Sequence, residues 1–203
     1  MKKAGLLKTG TKPAPEKLVL VQGFVNTLDV ETGADEISTR QSLKAWLVRH
    51  GLLRSNATVS ATDLRAALSL REGLRHLLLA NNGGCARPAS LRPLNRLLSR
   101  YPLTVSFGTD GAARLSPARQ GVAKVLGQIV AMVVQAAADG TLCRLKACDE
   151  PACRWAFFDA SKNHSGRWCS MTVCGSRAKA RSYRKRRQGV ADNRVRGVRM
   201  RTA

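Results

Sequence analysis

Four cysteines near the C-terminus constrain this chain more than any other feature. They stand as Cys148-Asp149-Glu150-Pro151-Ala152-Cys153 and Cys169-Ser170-Met171-Thr172-Val173-Cys174, two Cys-x4-Cys pairs with 15 residues between them. A close pair on a tight turn aims two thiolates at one point, and two such turns complete a tetrahedron around one ion. A soft four-sulfur donor set suits zinc, with iron the weaker alternative. When protein fills all four positions, none is left for a substrate or an activated water, so the ion is expected to be structural. Residues 146–188 hold few large apolar groups: Trp155, Phe157, Phe158, Trp168, Met171, Val173 and Tyr183. So small a unit does not fold on such a core alone, and metal binding supplies the deficit. Cys143 repeats the spacing with Cys148, but using it would orphan a member of the later pairs. Cys85 is remote and reads as a free thiol, and His164, in the polar loop Ser161–Gly166, reads as solvated.

Charge is the second constraint. Lys and Arg total 35 against 13 acids, a net charge of +22. Residues 144–203 carry 16 bases and 4 acids, so the charge density there is nearly threefold that of the first 143 residues. A field of this kind favours polyanions, nucleic acid before anionic membrane. The run Leu18–Val21 is too short for a secretory signal, and Gly121–Ala138, the most apolar stretch, contains Lys124, Gln128 and Gln135. A cytoplasmic, reducing setting without membrane attachment is expected, and clustered cysteines there suggest metal over disulfides.

Hydrophobic periodicity lays out the rest. Residues 1–16 read as a flexible tail. Leu18–Val21 and Phe24–Leu28 predict a strand or a strand-to-helix transition. Ser38 or Thr39 caps a helix carrying Leu43, Trp46 and Leu47, stopped at Gly51. Ser60 starts a longer helix through Leu64, Leu68, Leu74, Leu77 and Leu78 to Asn81-Asn82-Gly83-Gly84. Ser90 caps another, with Leu91, Leu94, Leu97 and Leu98 as its stripe. Leu103–Phe107 and Ala113–Leu115 alternate with period two around Thr109-Asp110-Gly111, a hairpin signal. Ser116-Pro117 is expected to open the central core helix, which bears Val122, Val125, Leu126, Ile129, Val130 and Val133 and ends at Asp139-Gly140. The fold class is α+β: a mostly helical N-terminal domain with a small β-hairpin, then a C-terminal zinc-ribbon-like finger with four cysteine ligands, followed by a basic helix.

The run Cys153-Arg154-Trp155-Ala156-Phe157-Phe158-Asp159-Ala160-Ser161-Lys162-Asn163, with Arg167-Trp168-Cys169-Ser170-Met171 and Cys174-Gly175-Ser176-Arg177-Ala178-Lys179-Ala180, resembles the CGNR zinc finger. Ser176 stands where that family has the Asn of its Cys-Gly-Asn-Arg signature; the metal ligands are untouched, and the hydrogen bond the amide would make is replaced by whatever a shorter hydroxyl can reach. Upstream, Phe24-Val25-Asn26-Thr27, Leu43-x-x-Trp46-Leu47-x-x-x-Gly51-Leu52 and Leu70-Arg71-Glu72-Gly73-Leu74-Arg75 resemble the ABATE domain, in which an acidic residue often precedes the Phe-Val-Asn-Thr element; here Gln22-Gly23 holds that place. The resemblance implies a stress-linked bacterial transcription regulator whose finger binds DNA. It divides the chain into a tail (1–16), an ABATE-like regulatory domain (17–145), the finger (146–188) and a basic disordered tail (189–203).

A helix from about Cys174 to Arg187 carries Arg177, Lys179, Arg181, Arg184, Lys185, Arg186 and Arg187, and no acid stands between Asp159 and Asp192. A solvated helix intersperses both signs, so this one reads as a nucleic-acid contact. Arg167 and Arg177, beside the metal turns, are candidates for base contacts; the competing reading pairs one of them with Asp159. Trp155, Trp168 and Tyr183 could stack on unpaired bases, but core packing is the better reading. Double-stranded DNA is the expected partner, with RNA or ribosome binding as the alternative. Homodimerisation and a small-molecule ligand of the N-terminal domain stay open. Residues 17–145 lack a Gly-rich phosphate loop, a His/Cys nucleophile pair and clustered carboxylates, so an enzyme is not expected. Glu72 beside Arg71 and Arg75 reads as a helix-surface ion pair.

Overall fold

The computed structural model describes residues 13–83 and 88–199. Residues 1–12 of the expected tail and Cys85 lie outside that range. Helix α1 spans Glu16–Val25, so the Leu18–Val21 run is helix and not strand. The β-preference of two valines is worth only fractions of a kcal/mol. Full burial of Leu18, Val21, Phe24 and Val25 among the surrounding helices outweighs it. Helix α2 (Arg40–Arg49) starts at a capping box formed by Thr39 and Ser42, and α3 (Ala61–Ala80) at one formed by Ser60 and Asp63. Helix α4 (Pro88–Leu98) begins two residues before Ser90, which is therefore inside the helix. Pro88 suits a first helical position, where its missing N–H costs nothing.

Strands β1 (Leu103–Phe107) and β2 (Ala113–Pro117) form the expected antiparallel hairpin, with Leu103 opposite Pro117. Ser116-Pro117 thus ends a strand and does not open a helix. The core helix α5 (Gly121–Ala138) starts only after Gly121 turns the chain through φ +62°, a left-handed conformation that glycine adopts without strain. A 3₁₀ turn, Leu142–Arg144, leads into β3 (Leu145–Ala147), which pairs antiparallel with β4 (Ala156–Phe158). A π turn, Met171–Gly175, runs directly into α6 (Ser176–Arg199). The basic arm expected to be disordered from 189 is thus helical to Arg199. Nothing in 188–199 is proline, and extending an existing helix avoids the cost of nucleation.

One apolar core joins α1, α2, α3 and α5 and continues through Leu145, Ala147 and Ala156. The boundary expected at 145–146 therefore falls inside a buried strand. A second, smaller cluster holds the four cysteines with Trp155 and Phe157. Between the two lie buried polar groups, each paired. Glu72 pairs with both Arg71 and Arg75 as expected; its own side chain is 41% exposed, while those of the two arginines are 5% exposed, so the pair reaches from the surface into the core. Arg71 also forks onto Asp35 at 2.7 and 2.9 Å, and Arg75 donates to the carbonyls of Val25, Leu28 and Arg154.

Candidate metal centre and nucleic-acid interface

The finger is anchored by side-chain amides of the helical domain. Gln22 and Asn26 stand one turn apart on α1 and both donate to the Ala156 carbonyl, at 3.2 and 2.9 Å; Asn26 Oδ1 accepts from the Ala156 N–H at 2.7 Å. Gln22 Oε1 also accepts from the Ala14 N–H. At the end of α3, Asn81 donates to the carbonyls of Leu142 and Leu145, and Asn82 to those of Ala147 and Arg167. An open strand edge and two turns are thereby satisfied inside the protein.

Strand β3 ends at Ala147, which delivers Cys148 to the metal turn, and the Cys153 N–H closes that turn on the Glu150 carbonyl. On the other side Cys169 and Cys174 flank the π turn, where the Gly175 N–H reaches the Ser170 carbonyl at 3.0 Å. In an α-helix residues five apart diverge by about 140°; the wider π turn brings the second thiol back over the first. The four Sγ atoms lie within 4.8 Å of one another and all four residues are buried. Cys153–Cys169 and Cys169–Cys174 are 3.6 and 3.7 Å apart. A zinc tetrahedron with bonds of about 2.3 Å has S···S edges of about 3.8 Å, so the donor set fits one structural zinc ion.

Protons alone serve these sulfurs poorly. The hydrogen bond between Cys148 and Cys153 holds the Cys153 thiol far below its usual range and Cys148 above it, bonds with Cys148 and Cys153 hold Cys169 above it, and burial pushes Cys174 up. A dication removes that conflict by favouring all four thiolates together. Backbone N–H groups of Glu150, Cys169 and Trp155 already point at sulfur. Cys143, as expected, stays out: its thiol is exposed and donates to the Gly140 carbonyl. His164 is exposed as well.

A family model for the CGNR zinc finger matches residues 144–187, and the ABATE model, described as a "putative stress-induced transcription regulator", matches residues 18–142. The chain belongs to the ABATE family. No curated protein matches it. In this ABATE protein the Asn26 of the Phe-Val-Asn-Thr element is the residue that holds the finger's strand β4. Gln22, in the place often taken by an acid, serves the same strand. Ser176 donates to the Met171 carbonyl at 3.4 Å and so helps close the π turn.

The basic residues separate into two groups. Arg167 pairs with Asp149, Arg177 with Glu31 and Arg181 with Glu150, at 2.6, 2.7 and 2.6 Å. Neither Arg167 nor Arg177 meets Asp159, which pairs at 2.8 Å with Lys146, a residue sequence reasoning passed over. Glu150 is buried, with 4% of its side chain exposed, and takes both terminal nitrogens of Arg181, so this arginine seats α6 on the first metal turn. Lys179, Arg184, Lys185, Arg186 and Arg187 are exposed and have no carboxylate partner among the described residues. Trp155 is core, Trp168 half-buried, and Tyr183 is 55% exposed beneath the Arg187 guanidinium. The signal for the amide clamp was present as Gln22-x3-Asn26 on one face of an apolar helix; nothing local marked Lys146.

Proposed function

We propose that this protein is a zinc-finger transcription regulator that binds double-stranded DNA through α6. The observation that carries this reading is the group of five cations with no carboxylate partner among the described residues, on a helix whose base is fixed by Cys174 and the Arg181–Glu150 pair. At 1.5 Å per residue α6 is about 36 Å long, and a helix of that width fits a major groove. Arginine and lysine on several sides suit a groove, which surrounds the helix with phosphates. We read the protein as a binding protein and not an enzyme, because four sulfurs leave the ion no position for water. We place it in the cytoplasm; α5 is long and apolar enough to cross a bilayer, but its Val122, Val125, Leu126, Ile129 and Val130 are buried in the core. Titration of a labelled duplex with the full-length zinc protein at several salt concentrations tests the reading. Five phosphate contacts give a log–log slope of about −4.5. Absent or salt-independent duplex binding refutes it. Exposed Tyr183 favours one alternative, stacking on unpaired RNA bases; a single-stranded RNA that outcompetes the duplex would establish that instead.

A further inference from the structure

Met171 and Val173 are 57% and 46% exposed, two of the six large hydrophobic side chains that are exposed among the described residues. Their exposure has a structural cause. Cys169 and Cys174 must both turn inward to the metal, and the π turn that achieves this pushes the intervening residues outward. Geometry does not require those residues to be apolar, and at so exposed a turn polar side chains would hold the same backbone.

The surroundings identify what would cover them. The tip is rigid: the Ser170 side chain accepts from the Val173 N–H, the Gly175 N–H closes on the Ser170 carbonyl, and metal thiols stand at both ends. Neighbouring side chains in sequence are the Ser170 and Thr172 hydroxyls, and the guanidinium of Arg167 lies over the Trp168 ring. The turn leads straight into α6, so Met171–Val173 form the first turn of one continuous helix whose later turns bear the five cations without carboxylate partners. A purely apolar protein surface would cover the tip but leave those cations unmatched. A duplex matches both parts: phosphates meet the cations, and the only apolar groups in the major groove are the C5-methyls of thymine. A helix lying in the groove reads bases with its N-terminal residues.

We propose that Met171 and Val173 are specificity-determining residues that cover thymine methyl groups in the major groove. This rests on the DNA-binding reading of α6 and names what the start of that helix recognises. The test uses the full-length zinc-loaded protein with alternating dA-dT and alternating dA-dU duplexes, which differ only in the thymine methyl. Covering a methyl contributes about fourfold in affinity, so loss of one or two should weaken binding by about four- to fifteenfold. The double variant Met171→Ser, Val173→Ser changes only exposed positions; it should keep its zinc and its salt slope and bind the two duplexes equally. Wild-type protein that binds both duplexes within about twofold of each other, or a double variant that retains the preference, overturns the proposal and leaves DNA binding by α6 standing. Failure to bind either duplex at any salt concentration overturns both.

Discussion

Removing the Lys146 ammonium while keeping its length, as in Lys146→Met, tests how the metal-bearing loop is held. Lys146 and Asp159 have only 5% and 3% of their side chains exposed and are 2.8 Å apart. The ammonium also donates to the carbonyls of His164 and Gly166, so all three of its protons are used. Asp159 in turn accepts from the backbone N–H groups of Ser161 and Gly166. The pair therefore fastens 159–166, the stretch that carries the chain from β4 back toward Cys169. Stripping one partner from a buried pair costs about 3–5 kcal/mol, because the other charge stays buried. Asp159 keeps two backbone donors, which places the expected loss near 3 kcal/mol, roughly the lower end of that range and a large fraction of a typical domain's stability. Urea unfolding at fixed excess zinc, followed by tryptophan fluorescence, measures it. The pH dependence has a definite sign. Burial would raise the Asp159 carboxyl, but the hydrogen bonds from Lys146, Ser161 and Gly166 outweigh it and hold the group below the usual carboxylate range. The stabilisation is therefore complete above about pH 4, the unfolded value, and disappears as pH falls through the lower folded value. The deficit of Lys146→Met should be full near neutral pH and shrink in strong acid. A loss below about 1 kcal/mol at neutral pH, or one independent of pH, would refute the reasoning.

Cys148→Ala or Cys174→Ala should abolish stoichiometric zinc by elemental analysis, and a variant retaining one zinc and its thermal stability would contradict the four-sulfur site. Chelating the zinc should loosen the helical core as well, because Leu145 and Ala147 belong to it; hydrogen exchange in α1 and α3 is the readout. Asn26→Ala leaves the buried Ala156 N–H without its partner and the Ala156 carbonyl with Gln22 alone, and should cost about 1–3 kcal/mol in urea unfolding. Arg181→Ala removes the partner of buried Glu150; because the arginine itself is 46% exposed, the expected loss is smaller, about 1.5–3 kcal/mol. Arg184→Ala should leave stability unchanged and flatten the salt slope of duplex binding by about 0.9.

What could be read from the chain followed one physical pattern. The metal site was legible because thiolate coordination needs specific residues at short spacing, and that information is local. The start of α3 at Ser60, the start of α2 at Ser38 or Thr39 and the β1–β2 hairpin were legible for the same reason, and the structure settles on Thr39 and adds the reciprocal bonds from Ser42 and Asp63. Errors arose where tertiary burial overruled local preference. The valines of α1 favour strand in isolation, yet full burial of Val21 and Val25 with Leu18 and Phe24 makes the segment helix. Pro117 resembles a helix opener, yet its register opposite Leu103 keeps it in a strand. The joint between the domains was hidden, since Asn26 and Ala156 are 130 residues apart and only the fold brings them together. The same holds for Asp159: by sequence its partner could have been any nearby arginine, and the fold gives it Lys146.

The acidic partners of Arg167, Arg177 and Arg181 change how the basic helix is understood. A run of like charge with no acid in its own sequence suggests one undivided patch. Two of its positions, Arg177 and Arg181, are instead held by Glu31 and Glu150, and Arg167, ahead of the helix, is held by Asp149. Glu31 lies in the helical domain and the other two in the first metal turn. Arg177 and Arg181 thus tie the first turns of α6 to the body, and Arg184, Lys185, Arg186 and Arg187 beyond them are exposed. A helix that met nucleic acid along its whole length would gain affinity but no fixed orientation. On the proposed DNA-binding reading, orienting the helix by its first turns would let the tip and the charged shaft meet a groove in one register.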